Sequence, residues 1–164
     1  MATHTPCLRL TGRTAHPYQR GWTLVELVIG LLVLALLAAV AVPTYLGQVR
    51  KLRRADAIAA LMRLQQAQER WRTNQPGYAG TLASSGLNLA TLSPGGHYLL
   101  ATRTDPASAA SAYQVSAVAQ GAQAQDAPCR YMRIDVQGGV ITHQSGTDDL
   151  YGNTATVNRR CWNE

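Results

Sequence analysis

Residues 27–42 carry no charged or strongly polar side chain. This run follows a single carboxylate, Glu26, and precedes Pro43. Counted from Trp22, the segment has 21 residues and one charge. As a helix rising about 1.5 Å per residue it covers ~31 Å, one hydrocarbon core. Such a run has no polar side to turn to water, so it cannot be the surface helix of a soluble domain. Beyond Lys51 the chain reads as an ordinary soluble sequence, and the mean hydropathy sits near zero because the two regimes cancel.

The net charge of +6 is distributed to match. Arg9, Arg13 and Arg20 precede the apolar run, with no acid among the first 21 residues, and Arg50, Lys51, Arg53 and Arg54 follow it. From Thr73 onward five arginines face six acids. Basicity that flanks a greasy segment reads as membrane-surface charge rather than a nucleic-acid patch.

Three cysteines, Cys7, Cys129 and Cys161, are an awkward count for an exported chain. If Cys7 lies in a removed segment, Cys129 and Cys161 are left to pair in an oxidising compartment; two free thiols are the alternative. The loop they would close has about 33 residues, worth roughly 3–4 kcal/mol in the chain-entropy picture.

Along the chain, residues 1–21 are polar and basic without periodicity and read as a leader. A helix is expected from Trp22 to Thr73, in two halves. Residues 22–49 are apolar all round. Residues 50–73 are amphipathic, with a stripe of Leu52, Ala55, Ile58, Leu61, Leu64, Ala67 and Trp71 expected to pack on a sheet. Arg53, Arg63, Gln66 and Arg70 take the opposite side. Pro43 is expected to kink this helix, and Asn74-Gln75-Pro76-Gly77 to stop it.

Residues 74–96 read as a loop, held down by Leu82, Leu87, Leu89 and Leu92. Four strands are expected within residues 97–144: 97–103, 112–119, 130–136 and 140–144. Tyr113, Val115 and Ala117 share one face of the second, and Met132, Ile134 and Val136 one face of the third. Gly138-Gly139 signals a turn. Short connections make the sheet antiparallel. Residues 145–164 carry turn formers and end at Cys161-Trp162, which a disulfide would tie to the third strand.

The most informative motif is Gly21-Trp22-Thr23-Leu24-Val25-Glu26, set between a basic leader and the apolar run. It resembles the processing motif of type IV prepilins, with Trp22 where Phe is usual. The resemblance implies cleavage between Gly21 and Trp22 by a prepilin peptidase, which also N-methylates the new Trp22 amine. A carboxylate at the edge of hydrocarbon costs on the order of 3 kcal/mol unless partnered. In a staggered stack Glu26 would meet the Trp22 amine of a neighbouring subunit, which would favour correct register. Two other readings compete: a secretory signal cleaved after Ala39-Val40-Ala41, and a permanent single-pass anchor.

The resemblance extends to PilE-type minor pilins. It is carried by Arg53-Arg54, the helix end Gln68-Glu69-Arg70-Trp71, and the loop opening Tyr78-Ala79. Gly121-x-Gln123-x-x-Asp126-x-x-Cys129, Asp135-x-x-Gly138 and Cys161-Trp162 carry the rest, although Arg130 stands where that group often has Gly. It implies an α+β pilin fold: a long N-terminal helix on an antiparallel sheet of about four strands, closed by a C-terminal disulfide. It implies a structural subunit of a type IV pilus, serving assembly, adhesion or twitching, and no enzyme. Expected partners are other pilins, the prepilin peptidase, the inner-membrane platform and, indirectly, an assembly ATPase. The expected location is the bacterial inner membrane, with the C-terminal domain periplasmic, and then the pilus.

Two alternatives share the leader and helix. One is a competence pilin that captures DNA, with Arg130, Arg133, Arg159 and Arg160 clustered near the disulfide and touching phosphates. The other is a type II secretion pseudopilin. No metal, cofactor or small-molecule substrate is expected. His4, His16, His97 and His143 are scattered without metal-ligand spacing. Gly146-Thr147-Asp148-Asp149 lacks the spacing of a calcium loop and reads as a solvated turn.

Overall fold

The computed structural model describes residues 21–164. The expected leader lies outside the described residues except for Gly21. The chain divides into two units that part between Ala41 and Val42. Helix α1 (Leu24–Arg72) is followed by β1 (Tyr98–Arg103), β2 (Ala112–Ala119), β3 (Tyr131–Gln137) and β4 (Val140–Gly146). Two 3-10 turns lie between β2 and β3, and a short helix α2 (Ala155–Trp162) ends the chain.

In the first unit, every side chain of α1 is exposed. Pro43, the second residue of the second unit, gives no N–H to the helical ladder. From there on α1 is amphipathic. Its buried residues are Ala57, Ala60, Leu61, Leu64, Ala67 and Gln68. The expected stripe is therefore too long at its start: Leu52 is 74% exposed and Ala55 is exposed as well. The expected stripe steps by three residues from 52 to 67, which turns it roughly 60° round a 3.6-residue helix at each step, whereas the buried residues 57, 60, 61, 64, 67 and 68 follow the i, i+3, i+4, i+7 spacing that keeps to one face.

The sheet is the antiparallel meander β1-β2-β3-β4. Strict alternation in β2 and β3 puts Tyr113, Val115, Ala117, Met132, Ile134 and Val136 on one face. That face and the buried line of α1 form one core with Tyr98, Leu100 and Trp162. Gly138 and Gly139, at φ 57° and 82°, make the two-residue turn between Gln137 and Val140, where a side chain would be strained. The loop before β1 is pinned by Leu82 and Leu87, whereas Leu89 and Leu92 stay more than a third exposed. Its remaining anchors are polar. Gln68 donates to the Ala79 carbonyl and to Thr102 Oγ1, both at 2.7 Å, and accepts the Ala79 N–H at 2.8 Å. Asp56 accepts from Ser93 Oγ at 2.5 Å and from the Gly95 N–H at 3.0 Å.

Helix α2 corrects the expectation of an irregular tail. Eight residues give too few turns for a periodic signal, but the local chemistry is in place. Thr154 precedes it in an extended conformation, Arg159 and Arg160 sit at its negative end, and Asn163 closes it at φ 58°. It covers the outer edge of β4, where Asn158 donates to the His143 carbonyl and Trp162 Nε1 to the Gln144 carbonyl. Capping an edge strand this way removes a template for unwanted pairing.

Candidate functional site

Two places carry the functional expectations, one in each unit. At the N-terminal end, Gly21, Trp22 and Thr23 precede α1, and Trp22 is 77% exposed. Thr23 Oγ1 accepts the Glu26 N–H at 3.2 Å. Thr23 is thus the N-cap and Glu26 the third helical residue, the spacing at which a hydroxyl satisfies one of the orphan N–H groups of a helix start. A carboxylate in the first turn is also favoured by the helix dipole. Thr-x-x-Glu in the motif was the readable sign of this cap, and reading it only as a processing signal missed it. Among the described residues the Glu26 carboxylate pairs with no cation. An 18-residue window of this helix reaches a mean hydropathy of 2.9 with none of it buried, so α1 is apolar and long enough to cross a membrane.

In the second unit, Cys129 and Cys161 form a disulfide with Cα atoms 5.4 Å apart. Arg130 follows one half-cystine and Arg160 precedes the other, so the bond sets the segment of Arg130 beside that of Arg159 and Arg160. The guanidiniums of Arg159 and Arg160 make no hydrogen bond or ion pair among the described residues, and both residues are exposed. Arg130 is half-buried, its Nε donating to the Ala124 carbonyl at 2.9 Å. Arg133 does not join this group. It lies on the sheet face away from the core, its Nε on Asp135 Oδ2 at 2.7 Å and its NH2 on Gln144 Oε1. Its guanidinium is stacked 4.0 Å over the Tyr151 ring.

Behind the disulfide is a polar cluster whose members the sequence shows only as a spacing, Gly121-x-Gln123-x-x-Asp126. Arg54 of α1 grips Asp126 through two bonds, 2.7 and 2.8 Å, and reaches the Arg160 carbonyl with its third nitrogen at 3.1 Å. One guanidinium thus ties α1, the 3-10 turns and α2 together. Gln123, fully buried, donates to the Tyr98 hydroxyl at 3.0 Å and to the Arg50 carbonyl at 3.2 Å, while its Oε1 has no partner among the described residues. Burial pushes the Tyr98 phenol up to about 12, opposed by the hydrogen bond from Gln123. The bidentate grip of the Arg54 guanidinium on the Asp126 carboxylate makes a rigid base for the segments bearing Arg130, Arg159 and Arg160. In the stretch 146–149, read from the sequence as a solvated turn, Asp148 Oδ1 accepts the Leu150 N–H at 3.1 Å and shapes an ordinary turn.

Comparison with curated proteins finds no match. The family model described as the prokaryotic N-terminal methylation motif matches residues 16–42, which contain Gly21, Trp22 and Glu26. A second family model, described as type IV minor pilin ComP, DNA uptake sequence receptor, matches residues 43–133, more than half of the chain. With a long N-terminal helix, a four-stranded antiparallel sheet and the 129–161 disulfide, the chain has the α+β pilin fold and belongs to this family of type IV minor pilins.

Proposed function

We propose that this minor pilin captures DNA for uptake, which favours the DNA-binding alternative over a pilin serving only assembly, adhesion or twitching. The carrying observation is the match over residues 43–133 to a family described as a DNA uptake sequence receptor. Physical support comes from Arg159 and Arg160 in the last turn of α2, whose guanidiniums are uncommitted among the described residues and whose segment the disulfide ties to that of Arg130. Phosphate contacts position DNA and give salt-dependent affinity. Arg133, spent on Asp135 and Gln144, is left out of the proposed contact. The test is duplex binding by the full chain held in lipid nanodiscs, followed across salt concentrations. Arg159→Ala/Arg160→Ala should weaken binding and flatten the log–log salt slope by about 2. Absence of binding at low salt, or a double variant that binds like the parent, removes this reading.

The N-terminal part of the proposal is processing and assembly. The prepilin peptidase cleaves between Gly21 and Trp22 and methylates the Trp22 amine. Glu26 then meets that amine on an adjacent pilin, and Pro43 bends the helix. The matched methylation motif supports this, as does a Glu26 carboxylate that has no cation partner among the described residues. Intact-mass measurement of native protein should give a start at Trp22, one added methyl and two hydrogens fewer for the cystine. A chain retaining Met1, or starting beyond Ala41, rejects it.

A further inference from the structure

The face of the sheet turned away from α1 is not flat. Two adjoining cavities of about 750 and 250 Å³ lie on it and share Arg103, Gln114 and Arg133. Their floor is made of two cross-strand rows. Arg103, Gln114, Asp135 and Thr142 stand opposite one another in register, as do Ser116, Arg133 and Gln144. The smaller cavity is bounded by the loop after β4, which doubles back so tightly that a Cβ on Gly146 would sit 2.8 Å from Tyr151 Cα. Tyr151 holds a left-handed conformation at φ 55°, a strained one for a bulky residue, and its ring lies against Arg133.

Charge decides what such a groove takes. Two arginines, Arg103 and Arg133, are outnumbered by Asp105, Asp135 and Asp149. The groove therefore lacks the positive excess that a phosphate backbone calls for, and it is no extension of the arginine surface near the disulfide. A nucleobase needs a bare ring to stack on, and the Tyr151 ring is already capped by a guanidinium. What remains is a dense mixture of planar hydrogen-bonding groups. Arg103 only donates and makes no hydrogen bond or ion pair among the described residues. Asp135 and Gln144 Oε1 accept from Arg133, and Ser116 is hydrogen-bonded to Tyr151, so the polar groups left open among the described residues are the Arg103 guanidinium, the Gln114 amide, which donates and accepts, and the Gln144 amide nitrogen, which donates. Neighbouring hydroxyls of a sugar ring each donate and accept in one direction, so they match such a mixture without requiring net charge. The larger cavity, about 750 Å³, falls within the ordinary size range of ligand sites.

We propose that this groove binds a neutral oligosaccharide, independently of any contact with DNA. The experiment presents the full chain in nanodiscs, free of sugar-headed detergent, to an array of neutral and sialylated oligosaccharides. Saturation-transfer NMR then follows the neutral glycans retained. Binding of a neutral glycan is expected, with an affinity loss of about tenfold or more in Gln114→Ala/Gln144→Ala. Circular dichroism, the intact cystine and duplex-DNA binding should be unchanged in that variant. Arg103→Ala, at an exposed position, gives a second reading of the same loss without risk to folding. No neutral glycan retained, glycan binding untouched by both variants, or a single-stranded oligo-dT held through Gln114 and Gln144 would each overturn the assignment. Failure of duplex binding alone would strike the DNA reading and leave this one standing.

Discussion

Residues 27–42 and residues 57–68 belong to the same element, α1, and meet opposite fates. The first stretch has every side chain exposed, Leu36 and Leu37 at 63% each. The second buries six residues of mixed kind, one of them Gln68. Both are good helix formers, so propensity does not separate them. What separates them is the source of the apolar partner. Residues 57–68 find it within their own chain, in the inner face of β1–β3. Residues 27–42 have to find it elsewhere, in lipid or in other helices, since an all-round apolar surface gains nothing from one neighbouring sheet. The second unit thus holds its own core, whereas the described residues of the first bury nothing.

That contrast can be broken by experiments on unfolding. The largest effect should come from Asp126→Ala, which strands the mostly buried Arg54 guanidinium, only 15% exposed. A loss of about 3–5 kcal/mol is expected by denaturant titration. Replacing the pair by apolar residues should cost less, because no charge is left alone. Cys129→Ser/Cys161→Ser should cost roughly 3–4 kcal/mol for a bond spanning 32 positions, measured the same way without reductant.

Next is alkali. Tyr98 has its folded pKa raised from 10.0 to about 12 by burial, and burial raises Tyr113 as well. Raised pKa means the protonated phenol is the form the fold favours. The stability it contributes is therefore complete below about pH 10 and is lost as pH rises toward 12, about 2–3 kcal/mol for Tyr98. Denaturant curves at pH 9 and pH 11 should show about half of that loss, because pH 11 lies midway between the two pKa values, and Tyr98→Phe should shrink the difference. The smallest effect on unfolding of the second unit should come from Glu26→Gln, within about 0.5 kcal/mol. The same change should deplete the subunit from filaments. Equal incorporation of Glu26→Gln would show that the first unit needs no charge complement to assemble.

Much of this architecture could be read before any coordinates. Alternation in Tyr113-x-Val115-x-Ala117 and Met132-x-Ile134-x-Val136 gave the correct inner faces, because a half-buried strand has to repeat every two residues. Gly138-Gly139 marked its hairpin because only glycine takes two successive positive φ values cheaply. By contrast α2, eight residues long, and the 3-10 turns at 121–129 left no periodic trace. Leu52 and Ala55 were assigned to the core although the sheet does not cover them.

The arginines show the same division. Their sequence positions permitted a cluster of four, and the fold divided them. Arg133 faces outward on β3 and is neutralised by Asp135, while the cystine brings Arg130 to Arg159 and Arg160. The outer groove was invisible for a related reason. Arg103, Gln114, Arg133, Gln144 and Tyr151 come from four strands and a loop, and each alone looks like a solvated surface residue.

Local composition by itself determined the apolar rod, the processing motif, the strand faces and the helix cap at Thr23, since each depends on neighbours within a few residues. Tertiary structure decided which part of α1 is core, which guanidiniums are free and where the polar groups converge. Those depend on distances between residues remote in sequence, such as Arg54 to Asp126 across 72 positions. No local pattern encodes such a distance; only the closing of the sheet on the helix sets it.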